Sequence, residues 1–239
     1  MAGDSAYIGG SEPCKPQEEH GDSWAFHFWE TLMRHCVWLL ALGILFTFSA
    51  AQAGDKEEFF NGKDFTGWEG LLDKFWSVKD GAIVGSTQPK GNNFNTFLCS
   101  KKKYKDFELQ FQVKLTGEGW TGNSGVQIRS RIHSPEKFAV TGPQCDMGAQ
   151  YWGSLYGENF GGMMKASDPK LVKDVLKVDD FNDYYIKCVG KHVTIKLNDK
   201  ITVDDDFAKM PDEGIIAFQL HAGGAMEVVF KNIRFTEIK

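Results

Sequence analysis

The sequence has no excess of basic residues, no internal repeat and no low-complexity tract. Lys and Arg number 27 against 32 Asp and Glu, a formal net charge of -5. Nucleic acid calls for a basic face, so it is excluded as the main partner. The one basic run, Lys101–Lys103 followed by Lys105, precedes an expected strand, where lysines commonly keep a sheet edge solvated. The conspicuous apolar run, Cys36–Phe48, is shorter than the roughly 20 residues needed to cross a bilayer, so no stable membrane anchor is expected. Cysteine is scarce. Beyond residue 53 only Cys99, Cys145 and Cys188 occur, an odd count that allows at most one internal disulfide. Their spacing matches no metal motif, and alternation turns Cys145 and Cys188 inward as small hydrophobes.

What is present begins with a leader. Met33–Ala53 has a short basic start (Arg34, His35), the apolar run, and small residues ending in Ala51-Gln52-Ala53, the plan of a secretory signal cleaved after Ala53. Residues 1–32 resemble no signal-peptide start, which makes Met33 the expected initiator and 1–32 an untranslated or disordered leader. A secreted or periplasmic location follows, one that permits disulfides. Residues 54–239 are expected to form one domain with a sizeable core.

That domain is written in short strands and turns. Trp76 and Val78 alternate, Asp80-Gly81 turns, and Ile83 resumes, which predicts a hairpin. Phe107, Leu109, Phe111, Val113 and Leu115 share one face of a clear strand. Further strands are expected at Tyr184–Val189, His192–Leu197 and Gly214–His221, with Glu227–Ile238 as a final pair or one long bent strand. One short helix is predicted over Ser167–Lys177, capped by Ser167 with Pro169 in its first turn. Many alternating strands and few helices indicate an all-β antiparallel sandwich.

Three strands carry polar groups where their neighbours are apolar: Gln127, Arg129 and Arg131; Gln144 and Asp146; Gln219 and His221. Within each set the spacing is two, so the side chains point together. The first strand opens on Asn123-Ser124-Gly125, a turn signal. If the three lie side by side, they line a groove with cation, carboxylate and imidazole, and Trp120, Tyr151, Trp152 and Tyr156 would rim it. Flat rings beside hydrogen-bonding groups suit sugars. Each set also has a plainer reading as a solvated face, a cross-strand ion pair or rim packing.

Taken together, FFNGKDFTGW, WSVKDGAIVG, YKDFELQFQVKL, NSGVQIRSR, GPQCDMG…YWGSLYGE, FNDYYIKCVGKHVTIKLND and GIIAFQLHAGG…VVFKNIRF resemble the 3-keto-disaccharide hydrolase domain family, from Phe59 to Ile238. The resemblance implies a concanavalin-like jelly roll with a concave sugar-binding face, and activity on glycosides whose C3 hydroxyl is already a ketone. That ketone acidifies the C2 proton. A base removes it, the C1 substituent leaves by β-elimination, and water adds back, a route served by one base and an oxyanion stabiliser. By the resemblance Arg129 is the enediolate stabiliser. His221 or Asp146 is the base, and the other protonates the leaving group or binds a hydroxyl. Asn123, Gln127, Arg131, Gln144 and Gln219 join the aromatic residues as substrate contacts. Family members commonly carry Glu and then Gln where this chain has Gln144 and Asp146, which leaves the identity of the base open, and Phe181 stands where Trp is usual. No cofactor is required, although Asp146 and His221 could share a divalent cation. The expected partners are an oxidised disaccharide or glycoside and a glycoside 3-oxidase that makes it. The rival expectation is a non-catalytic carbohydrate-binding module on the same scaffold. A conventional two-carboxylate glycosidase is disfavoured, because no E-x-D-x-x-E strand occurs.

Overall fold

The computed structural model describes residues 58–117 and 122–239. The expected leader (1–32), the signal segment (33–53) and Trp120 lie outside the described residues. Two seven-stranded antiparallel sheets pack face to face. The first holds β1 (Trp68–Glu69), β4 (Thr96–Tyr104), β6 (Asn123–Ser134), β7 (Ala139–Gly148), β8 (Leu155–Glu158), β9 (Gly162–Lys165) and β13 (Gly214–Leu220), in the order β1-β4-β13-β6-β7-β8-β9. The second holds β2 (Trp76–Lys79), β3 (Ala82–Ser86), β5 (Phe107–Gly117), β10 (Asn182–Val189), β11 (His192–Leu197), β12 (Lys200–Asp206) and β14 (Met226–Glu237), in the order β12-β11-β10-β5-β14-β3-β2. This is the all-β antiparallel sandwich that the alternation predicts, in the concanavalin-like form that the resemblance implies.

The core lies where the inward faces meet. Leu98, Val126, Cys145, Leu155 and Phe218 from the first sheet pack against Leu109, Phe111, Tyr184, Ile186 and Phe230 from the second. Phe111 stacks on Tyr184 with centroids 5.4 Å apart, and Phe218 lies 4.6 Å from Phe230. Each such ring contributes about 1.5–3 kcal/mol by leaving water. Tyr184 also crosses the core to donate its hydroxyl to the carbonyl of Asp146 at 3.0 Å, which satisfies a buried polar atom and fixes β7 beneath the site.

Several local expectations change. The predicted helix, α1 (Pro169–Val175), is capped by Asp168, which accepts from Lys170 N–H at 2.8 Å; Ser167 is buried and bonds Ser154 and the Trp152 carbonyl instead. Lys101–Lys103 lie ahead of β5 as expected, but are themselves exposed residues near the end of β4. The closing segment is one long strand, bulged between Lys231 and Arg234. Strand β12 is not signalled by its sequence, because Asp204-Asp205-Asp206 reads as a loop; it pairs with β11 through its backbone and buries Val203. All three described cysteines are free and buried, so no internal bridge forms.

One distortion decides where the site can be. The β6–β7 pairing is regular from Asn123↔Gly148 to Gln127↔Gln144 and then shifts before Arg131↔Thr141. Arg129 sits at the shift with φ +46°, a left-handed conformation that bulges and bends a strand. Opposite, Gly142 has φ +147°, and a Cβ there would lie 2.1 Å from Ser130 Oγ, so only glycine permits so close a turn. Beyond this bend the hairpin folds over the outer face of its own sheet. Ile132, Phe138 and Val140 then cover Phe97, Cys99, Ile215 and Ala217 in a second small core, and Thr96 Oγ1 donates to the Lys137 carbonyl at 2.7 Å.

Candidate functional site

The bend leaves the other half of that outer face as the polar one. Gln127 stands opposite Gln144, Gly125 opposite Asp146, Ala217 opposite Gln127, and Tyr156 opposite Gln144. Gln219 belongs to the same face, because Phe218 pairs with Val126 on the inner one. Gln127 Nε2 donates to Gln144 Oε1 at 2.8 Å, and Gln144 Nε2 donates to Gln219 Oε1 at 3.2 Å and Asp146 Oδ1 at 3.3 Å. In one orientation of its amide Gln127 donates to Gln144 and accepts from Ser130 Oγ; in the other its Nε2 donates to Ser130 Oγ and to the Gly142 and Pro143 carbonyls at the bend. Gln127 and Gln144 therefore form a frame whose polar atoms are spent on protein partners.

What the frame presents is a carboxyl and two unpaired amide atoms. Asp146 retains 4% of its exposure. Burial pushes its carboxyl up to about 7, and the charge of Glu158 pushes the same way, while Gln144 and the Met147 N–H pull it down. Both of those donors, Met147 N at 3.0 Å and Gln144, reach Oδ1. The proton of the neutral form therefore belongs on Oδ2. Gln219 Nε2 and Asn123 Oδ1, on neighbouring strands of this face, are buried with no partner among the described residues. An unpaired buried polar atom costs about 1–3 kcal/mol, which a ligand oxygen or hydroxyl would recover.

His221, the residue that follows β13, is half-buried, and its Nδ1 lies 2.6 Å from the Ala222 carbonyl. A carbonyl only accepts, so Nδ1 carries the hydrogen and Nε2 keeps its lone pair. Asn95 completes the rim. It accepts from Ala222 N–H at 2.8 Å and donates Nδ2 to Glu158 Oε1 at 3.0 Å.

This geometry has relatives. The description 3-keto-alpha-glucoside-1,2-lyase-like domain matches residues 55–236. The chain belongs to that family. No curated protein matches it. Among solved structures it is similar to a candidate glycosyl hydrolase from Parabacteroides distasonis, with 23% identity, 75% of this chain and 92% of that one covered, and a TM-score of 0.55. It is also similar to the carbohydrate-binding module CBM66 from Bacillus subtilis, with 16% identity, coverage of 72% and 96%, and a TM-score of 0.53. Family membership makes the protein glycosidase-like or carbohydrate-binding, and at these identities the two structures speak for the fold alone.

Several residues expected in the groove by resemblance to the family are elsewhere. Arg129 is the principal correction. Its left-handed backbone breaks the alternation that would put it beside Gln127. Its guanidinium, only 1% exposed, donates instead to the carbonyls of Lys105, Gly190 and Pro211 and to Asp106 Oδ1 at 2.7 Å. With four acceptors it is spent as a structural clamp and cannot hold an enediolate. Arg131, past the bend, is exposed on the folded hairpin opposite Thr141. Trp152 is buried in the main core and is no rim platform. Tyr151 is half-buried in the turn after β7, and Tyr156 is half-buried within β8, opposite Gln144, rather than on a rim loop. Among the described residues no three His, Cys, Asp or Glu side chains converge to hold a metal ion, so a cation shared by Asp146 and His221 would find no third such ligand. Asn95 and Glu158 were not anticipated. The motif ending Tyr-Gly-Glu contains the signal for Glu158, but Asn95 lies in a polar loop with no pattern of its own.

Proposed function

We propose that this protein cleaves the glycosidic bond of 3-keto-glycosides, using His221 as base, Asp146 as acid and Gln219 as oxyanion donor. The observation that carries the proposal is Asp146, a buried carboxyl titrating near neutrality with Oδ2 available on the site face. His221 Nε2 takes the C2 proton, acidified by the C3 ketone, as the C1–O bond breaks. Asp146 Oδ2 gives its proton to the departing oxygen. The unpaired Gln219 Nε2 donates to the enediolate oxygen, the task the family resemblance gives to Arg129. Water then adds to C1 and yields a proton to Asp146, and His221, its imidazolium proton exchanged with solvent while the unsaturated intermediate is held, protonates C2. The net change is hydrolysis, and both groups recover their starting states. The signal expected at 33–53 would put this reaction outside the cytoplasm, supplied by a glycoside 3-oxidase.

Incubating the protein with a 3-keto-disaccharide and with its unoxidised parent tests the proposal. Monosaccharide release from the keto form alone is the expected result. Binding of both sugars without turnover would favour a carbohydrate-binding module on the same face.

A further inference from the structure

We propose that Glu158 is a positioning residue of this site, acting on His221 through Asn95 and on Asp146 through its charge. The proposal rests on the reaction assigned above and adds to it a carboxylate that touches neither reacting atom. Glu158 is opposite Gly142, at the bend, and the following residue is held there by Thr141 Oγ1, which donates to the Asn159 carbonyl at 3.0 Å. From that position Oε1 accepts from Asn95 Nδ2 at 3.0 Å. Asn95 in turn accepts from Ala222 N–H, and the Ala222 carbonyl accepts from His221 Nδ1. The loop carrying Asn95 is tied to the same segment by the Asn92–Gly223 backbone pair at 3.0 and 2.7 Å.

An amide is required in the middle of this chain. Asn95 donates to one neighbour and accepts from the other, and a carboxylate could only accept. The chain holds the 222 peptide with its carbonyl against the imidazole, which fixes the tautomer that makes Nε2 basic. The groups acting on the Asp146 carboxyl are Gln144, the Met147 N–H and one charge, Glu158. Tyr184 reaches only its backbone carbonyl from the core side. The Glu158 charge opposes a second negative charge on Asp146 and so keeps that group in its proton-donating form.

Glu158→Gln separates the two effects, because glutamine can still accept from Asn95 but carries no charge. In protein labelled with 13C at aspartate carboxyls, with the Asp146 signal assigned by its loss in Asp146→Asn, the variant should titrate below the parent. The alkaline limb of kcat/KM should move down by the same amount, with kcat at acid pH within about twofold of the parent. Asn95→Asp, which loses the donor, should lower kcat with little change in KM and disturb the His221 15N tautomer signature. An unchanged Asp146 midpoint in Glu158→Gln overturns the proposal whether or not the protein cleaves keto-sugars. A shifted midpoint in a protein that cleaves none overturns the reaction and leaves the hold of Glu158 on Asp146 standing.

Discussion

Asp146→Asn is expected to lower turnover of a 3-keto-disaccharide by about 10²–10⁴-fold, the usual worth of a positioned acid. The loss should shrink for a 3-keto-glycoside with an aryl leaving group of low pKa, because such an oxygen departs without needing a proton. Equal losses on both substrates would remove Asp146 from the leaving-group step. The same variant carries an opposite signature in stability. The Asp146 carboxyl titrates at about 7 in the folded protein against an ordinary 3.8, so between these values the folded state binds more protons than the unfolded one. Stability therefore declines as pH rises through that window, by the share due to this group. Asparagine can still accept from Met147 and has no charge to bury, so Asp146→Asn should be more stable than the parent at pH 8 in urea unfolding. Loss of activity with a gain in stability is the pattern of a residue kept for chemistry.

Arg129→Ala should do the reverse. Removing the guanidinium strands the carbonyls of Lys105, Gly190 and Pro211 and leaves Asp106 without its cation. Breaking a buried pair in this way costs about 3–5 kcal/mol, a large part of the stability of a domain. The expected outcome is a protein that unfolds at much lower urea or is recovered poorly, and Arg129→Lys should rescue little, because an ammonium cannot reach four acceptors with a planar fork. A variant of unchanged stability that has lost only turnover would return Arg129 to the groove and overturn the structural assignment made here.

The contrast between these two residues shows what was legible in the sequence. Alternation is a local signal, and wherever strands stay regular it placed side chains correctly: Phe107 to Leu115 inward, and Gln127, Gln144, Asp146 and Gln219 together on one outer face. It failed at Arg129 because period-two reasoning presumes an unbroken ladder, and a single left-handed residue reverses every face beyond it. Gly142 was the available hint, a glycine next to proline inside an expected strand, but its partner across the sheet could not be known from one chain segment. Trp152 was misassigned for a related reason, since aromatic residues in loops look alike whether they rim a groove or plug a core. Asn95 and Glu158 meet across 63 residues of sequence through a folded-over hairpin, a contact no spacing rule encodes.

In the proposed reaction a base on this face removes the C2 proton of a keto-sugar, and isotope exchange reads that step directly. A 3-keto-disaccharide cleaved in D2O should yield a 3-keto monosaccharide carrying deuterium at C2, seen by NMR as loss of the C2 proton signal in the early product, before uncatalysed exchange of the free sugar. Product released with its C2 hydrogen retained would mean that the bond breaks by direct displacement at C1, and would contradict the account.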